Sequence, residues 1–252
     1  MLKELVKAVV PHSVVVSAYQ WHMREKRYDS WVEAAAASAD YAAPDLTAFR
    51  ILRSRGIIGS EEAYIRPPAR LLEAIETKTG RLVDFGGSAG EMCATLQKKL
   101  PGWSFTVIET APMANGSRPL RPSIAYSDQL PDAFDVFYSS GTLQYLEKPE
   151  QLWRDALSRT ARYAYLARNA FSDRKIYSVQ VSRLFDNGAG PIPLGFKNIR
   201  VRYPKQTLSE ITICQIAEDA GFALVDRIAD QNTGVTGTKD DVYGADLLFK
   251  RR

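Results

Sequence analysis

The run Val83-Asp84-Phe85-Gly86-Gly87-Ser88-Ala89-Gly90 constrains this chain more than any other segment. An apolar stretch ends on an acid, and Gly86 permits a sharp turn directly after it. Gly90 then opens a helical pattern, whose first backbone amides lack partners within the helix. Strand, glycine turn and helix start in this order make a ligand cradle at the carboxyl edge of a parallel sheet. The glycines alone leave the ligand open. Dinucleotide-binding turns use G-x-G-x-x-G, a spacing that fails here because position 88 is serine.

The pattern around the cradle is α/β. Strands are predicted at 81–85, 104–108, 124–126, 134–138 and 163–167, and helices at 91–100, 149–160 and 208–220. This alternation predicts a mostly parallel sheet with helices on both faces. Two extended runs, 223–228 and 245–250, close the chain across a Gly-, Thr- and Asp-rich connection at 232–241, and are predicted to be antiparallel neighbours. Upstream, 61–78 reads as a helix with Leu71, Leu72 and Ile75 on one face, Pro67-Pro68 as its start signal and Gly80 as its stop. Residues 30–55 read as helical with a break at Ala43-Pro44, and Asp45 as the cap of the segment from Leu46. Leu2, Leu5, Val6, Val9 and Val10 form a short helical stripe, expected to dock on the protein's own core; contact with a membrane surface is the alternative. The expected organisation is an N-terminal helical appendage, 1–60, and one α/β domain, 61–252.

Charge and cysteine content narrow the partners. Lys and Arg number 33 against 29 acids, and no basic run with interleaved aromatics marks a nucleic-acid surface. The small basic excess suggests an anionic substrate or surface without requiring nucleic acid. Cys93 and Cys214 fall in helical stretches with neither metal-ligand spacing nor a disulfide pattern, so no metal is expected and a reducing cytoplasm is the simplest location. The apolar runs are too short for a transmembrane segment, and the start lacks a signal-peptide cleavage pattern.

The second strand ends in Val107-Ile108-Glu109, about twenty residues past the loop, where a carboxylate can accept two hydrogen bonds from a ribose diol. A solvated strand-end acid is the plain alternative. Asp128, after the third strand, is a candidate for an adenine amino group, with Ser127 and Gln129 as competitors. An acid two positions before the first glycine of G-x-x-x-G resembles motif I of the class I S-adenosylmethionine-dependent methyltransferases, with Ser88 at the usual middle glycine. The stretch from Asp135 through Gln144-Tyr145 to Pro149 resembles their fourth strand and its following loop, and Ala220-Gly221-Phe222 the end of the helix before their last two strands. The resemblance implies a Rossmann-like fold with a mostly parallel seven-stranded sheet whose last strand is antiparallel. It also implies S-adenosylmethionine as cofactor, held by Asp84, Gly86, Gly87, Ser88, Gly90, Glu109, Asp128 and Gln144.

A narrower resemblance covers nearly the whole chain. It is to a family of methyltransferases associated with surface-polysaccharide and related biosynthetic gene clusters. The matching pieces are Ser30-Trp31-Val32-Glu33-Ala34 with Asp40-Tyr41, Asp84-Phe85-Gly86-Gly87, Ser139-Ser140 with Leu143-Gln144-Tyr145-Leu146, Arg168 with Phe171, Val179-Gln180, and Tyr203-Pro204. Arg202 and Gln206 depart from its pattern. This resemblance implies O-methylation of a sugar or sugar-containing metabolite and carries Gln180 as a substrate residue.

Methyl transfer from a sulfonium needs alignment and dryness more than strong catalysts. The histidines, His12 and His22, lie outside the expected core, so Tyr145, Tyr203 or a carboxylate is expected to orient the acceptor, with Tyr145 read rather as a cofactor-side contact and Arg168 as the further catalytic candidate. Arg168, past the fifth strand at the ligand-binding edge, suits a carboxylate or phosphate clamp, and an exposed ion-paired arginine is the alternative. Lys197, Arg200, Arg202 and Lys205 surround Tyr203 where such folds insert acceptor loops, so Arg168, Gln180, Arg202 and Tyr203 form the expected substrate set. Two other readings stay open: N- or O-methylation of another small natural product, and a non-catalytic scaffold or regulator with a degenerate fold. The failed glycine spacing disfavours a nicotinamide dehydrogenase.

Overall fold

A computed structural model describes residues 26–39, 43–230 and 242–252. The expected stripe from Leu2 to Val10, both histidines, Asp40-Tyr41 and the 232–241 connection lie outside the described residues.

In chain order the elements are β1 (Lys26–Tyr28), α1 (Trp31–Ala36), α2 (Pro44–Arg55), α3 (Ala69–Ala74), β2 (Gly80–Phe85), α4 (Glu91–Lys99), β3 (Trp103–Ile108), α5 (Ala111–Ser117), β4 (Ala125–Ser127) and β5 (Phe134–Ser140). There follow α6 (Pro149–Arg159), β6 (Thr160–Phe171), β7 (Tyr177–Arg183), β8 (Arg200–Gln206), α7 (Glu210–Asp219), β9 (Phe222–Asp230) and β10 (Tyr243–Arg251). Seven strands form one sheet in the order β4-β3-β2-β5-β6-β10-β9. β4, β3, β2, β5 and β6 pair in parallel, and β10 runs antiparallel to both β6 and β9. The expected mostly parallel sheet with an antiparallel last strand is therefore present. Its strand order reverses between β2 and β5, which is where open α/β sheets bind ligands.

Both faces of this sheet are buried. Phe134, Phe137, Trp153, Phe222 and Phe249 fill one side under α6 and α7. Leu82, Leu96, Trp103, Phe105 and Tyr138 fill the other under α3 and α4. Gly80 is required at the start of β2, because a Cβ there would stand 2.6 Å from the Trp103 ring.

A second sheet, β1-β7-β8, is antiparallel throughout and was not expected from the sequence. α1 packs on β7 and β8, and Phe49 of α2 stacks on Phe185 and meets Phe196 edge-on beyond the sheet. Residues near the chain start and residues 177–206 thus share one cap.

Two helical expectations are corrected. Residues 61–78 do not form one helix: Glu61–Ala63 is a single 3-10 turn, and only α3 is α-helical. Pro68 takes an extended ψ of 105° at the cap of α3, and Ile75 leaves the helix with ψ 107°. Asp45 lies within the first turn of α2, with Ala43 at the cap and Pro44 leading the helix. Ser30 and Ser209 cap α1 and α7, each accepting from the backbone amide three residues on.

Candidate functional site: a two-walled cleft at the carboxyl edge

The carboxyl ends of β2, β5 and β6 open onto a cleft of about 630 Å³, closed on its far side by β7, β8 and the turn at Leu184–Asp186. That volume accommodates a nucleoside-sized ligand beside a small acceptor.

The floor is built from the cradle. Asp84 is the penultimate residue of β2 and is 2% exposed. Burial pushes its carboxyl up to about 7; the Cys93 thiol, donating at 3.7 Å, opposes this, and the charges of Glu91 and Glu109 add to it. Glu91, in the first turn of α4, is also buried and lines the cleft. Gly86 has φ 75°, and a Cβ there would stand 2.1 Å from the Thr142 hydroxyl, so only glycine lets the loop close on β5. Ser88 has φ 56°, a left-handed conformation costing about 1–2 kcal/mol for a residue with a side chain. Its backbone amide donates to Glu109 Oε1 at 3.1 Å, a charge-assisted bond that holds the strained turn. The Ser88 hydroxyl is buried and, among the described residues, has no hydrogen-bond partner.

Glu109 is not a solvated strand-end acid. Its side chain is 6% exposed, Oε2 accepts from the Thr110 amide at 3.0 Å, and Oε1 also accepts from Arg50 Nη2 at 3.4 Å. Ser88 and Arg50 both line the cleft, which puts the carboxylate directly behind its wall. Asp128, by contrast, is exposed and does not line the cleft, and Ser127 and Gln129 beside it bond each other.

The cap wall carries a polar network. Tyr145 Oη donates to Gln180 Oε1 at 2.8 Å, Gln180 Nε2 donates to Tyr203 Oη at 3.3 Å, and Ser182 Oγ stands 3.3 Å from the same hydroxyl. The Tyr145 and Tyr203 rings meet edge-on at 5.3 Å. Thus Gln180 lies between the two tyrosines singled out in the sequence. Arg202 takes no part: it is exposed, and strand alternation gives the cleft Tyr203 and Lys205 instead. Gln144 lines the cleft but is fully engaged, donating to Gly141 O at 3.1 Å and accepting from the Ala170 amide at 3.1 Å. It ties the loop after β5 to the end of β6.

Arg168 sits at the cleft with φ 56°. The β6–β10 register slips at this point, and the bulge is pinned by Asp246, which accepts from the Arg168 amide at 2.8 Å and from Tyr165 Oη at 3.0 Å. Such bulges re-aim a side chain. Arg168 is exposed and lines the cleft.

Arg50, Arg121 and Glu91 escape the sequence reading, and Lys205 enters it only as one of the basic residues around Tyr203. Arg50 has no local signal, since its partner Glu109 is 59 positions away. Arg121, 5% exposed, donates to Glu61, to Ser54 Oγ at 2.8 Å and to the carbonyl of Ala89, inside the cradle, at 2.9 Å. Glu91 and Lys205 are buried charges on the cleft wall. A charged residue at an inward position of a strand or first helical turn was the available clue for these last two.

No protein-family model matches the chain, and no curated protein matches it. Solved structures do. A S-adenosylmethionine-dependent methyltransferase from Methanosarcina mazei is 12% identical, the match covering 74% of this chain and 99% of that one with a TM-score of 0.51. Another from Clostridium acetobutylicum is 10% identical over 86% of this chain and 94% of that one, TM-score 0.49. The magnesium protoporphyrin IX methyltransferase of Synechocystis, with bound S-adenosylhomocysteine, is 14% identical over 85% and 89%, TM-score 0.48. With the strand order above, the Methanosarcina likeness identifies the fold as the Rossmann-like fold of class I methyltransferases.

Proposed function

We propose that this chain is a S-adenosylmethionine-dependent methyltransferase of a small-molecule acceptor, with an oxygen of a sugar or sugar-containing metabolite as the methylated atom. The observation that carries the reading is the floor: Asp84, Glu91 and Glu109 gather around a glycine turn at the strand-order reversal. Two buried acids facing a cleft call for a cationic ligand, and a carboxylate held by Ser88 and Thr110 is set for a diol. The unpartnered Ser88 hydroxyl offers a further donor or acceptor. These residues fit an adenosyl sulfonium carrying an ammonium group. When bound, the cofactor supplies a methyl group already activated by its sulfonium.

The remaining work falls to the chain. Asp84 and Glu91 neutralise cationic charge in a dry site, while Glu109 orients the ribose as Arg50 yields or shares Oε1. Tyr145, Gln180 and Tyr203 orient the acceptor hydroxyl, whose proton is released to bulk water as the new bond to carbon forms. Arg168 holds the acceptor from the floor side. β1, α1 and α2 act together with residues 177–206 as the cap that excludes water.

Calorimetric titration with S-adenosylhomocysteine tests the reading. Stoichiometric binding is expected, and a wild-type protein that binds neither it nor S-adenosylmethionine would refute the proposal.

A further inference from the structure

The rim of the cap beside the cleft exposes apolar side chains. Residues 186–189 line the cleft, and the chain then runs on as Gly190-Pro191-Ile192-Pro193-Leu194-Gly195 before it enters β8. Leu194 is 98% exposed, and Ile192 and Ile199 are exposed to about half. A second loop, directly after α2, adds Ile58, exposed to a similar degree. The two loops are joined at their bases. Arg53 donates to Gly190 O at 2.9 Å, and a Cβ on Gly56 would stand 2.9 Å from the Pro191 ring. Pro191 and Pro193 carry no N–H, so the tip presents fewer amide donors to be stranded when it leaves water.

The same rim is basic. Residues 183–202 hold four cations, Arg183, Lys197, Arg200 and Arg202, and one acid, Asp186, a net of +3 in a chain whose formal net charge is +4. All four cations are exposed, and Arg55 adds another close to Ile58. Arg183 stands opposite Arg200 in the β7–β8 ladder and donates to Asn198 O at 3.3 Å, so like charges are held together here. Like charges directly opposite one another cost stability, a cost that an anionic surface facing them removes. Asp186 accepts from the Arg183 amide at 3.2 Å, and its charge acts on Arg53.

Apolar tips among cations match the interface of an anionic bilayer, where the acyl boundary takes the tips and the headgroups take the cations. A stable protein interface buries about 800 Å² on each side around an apolar core, and four side chains spread over two loops fall short of one. We infer that the cap rim docks on an anionic lipid surface, with Ile58, Ile192, Leu194 and Ile199 at the acyl boundary and Arg183, Lys197 and Arg200 on the headgroup phosphates. Because residues 186–189 line the cleft, docking sets its cap side at the headgroup level. The inference does not depend on the methyltransferase reading.

The test sediments the full-length protein with vesicles of phosphatidylcholine alone and of phosphatidylcholine with about one quarter phosphatidylglycerol. The anionic vesicles should bind at least about tenfold more tightly, and the difference should shrink as salt is raised. Leu194→Ser should weaken binding about tenfold or more, and because this side chain is almost fully exposed the thermal midpoint should not move. Lys197→Gln/Arg200→Gln should weaken binding to the anionic vesicles by a similar factor. Absence of vesicle binding, or binding indifferent to lipid charge, overturns the inference. So does wild-type affinity in either variant, which would put the contact elsewhere on the chain. A dimer that forms in solution and is lost in Leu194→Ser, with no vesicle binding, overturns it in favour of a second copy on the rim.

Discussion

The floor and the cap of the cleft are held in place by different forces. The floor rides on a seven-stranded sheet with large apolar clusters on both faces, and its loop is fixed by backbone geometry and buried charge. The cap has a small apolar cluster around Leu46, Phe49 and Leu184, and much of its attachment is by side chains gripping carbonyls. Arg53 alone donates to the carbonyls of Phe185, Asn187 and Gly190, and Gln206 donates to those of Leu146 and Glu147. A rigid floor suits a cofactor that never changes, whereas a lightly held cap suits an acceptor that must enter and leave.

Breaking the floor's buried charge network should have the largest effect. Arg121→Met leaves Glu61 buried without its guanidinium and releases Ser54 and Ala89, at a cost of about 3–5 kcal/mol. Thermal unfolding should show the midpoint lower by roughly 10 °C or more, and Arg121→Met/Glu61→Gln should recover part of the loss. A change of under about 1 kcal/mol would mean the cradle does not depend on this network. Glu109→Ala comes next, with S-adenosylhomocysteine affinity falling about 100-fold or more through loss of two hydrogen bonds to a charged group. Calorimetry reads it directly.

The same logic makes a cap variant behave differently. Gln180→Ala should lower kcat/KM for the acceptor about tenfold or more while cofactor affinity stays put, because it unlinks Tyr145 from Tyr203 without touching the floor. Equal losses in cofactor and acceptor steps would erase the distinction between the walls. The smallest effect is on pH. Burial raises Asp84 to about 7, so the folded protein keeps a proton there that the unfolded chain gives up near pH 4. Stability from this group is full below the unfolded pKa and is lost as pH rises through 7. A cationic ligand favours the ionised carboxyl, so S-adenosylmethionine affinity should rise up to about tenfold from pH 6 to 8 and then level off. Asp84→Asn should flatten that rise.

The two walls also differ in how far the sequence reveals them. Residues 84–90 and Glu109 lie within one strand-turn-helix-strand unit, where each position has its own local reason: an acid one residue from a strand end, a glycine at positive φ, a helix start. The cap has no such contiguity. β1 is a strand only because β7, about 150 residues later, pairs with it. Pro204 reads as a strand breaker, yet β8 is an edge strand and needs donors on one side only. Pro67-Pro68 signalled a helix start correctly, but for a helix of six residues rather than one spanning 61–78. Arg50 and Arg121 are silent in sequence because their partners are supplied by the fold.

A crystal structure with S-adenosylhomocysteine bound tests the central claim most directly. The account predicts its ribose on Glu109, with Arg50 displaced from or sharing Oε1, its amino group beside Asp84 or Glu91, and the Tyr145–Gln180–Tyr203 wall left clear for the acceptor. Density for the ligand against the cap tyrosines, with Glu109 still closed on Arg50, would contradict it.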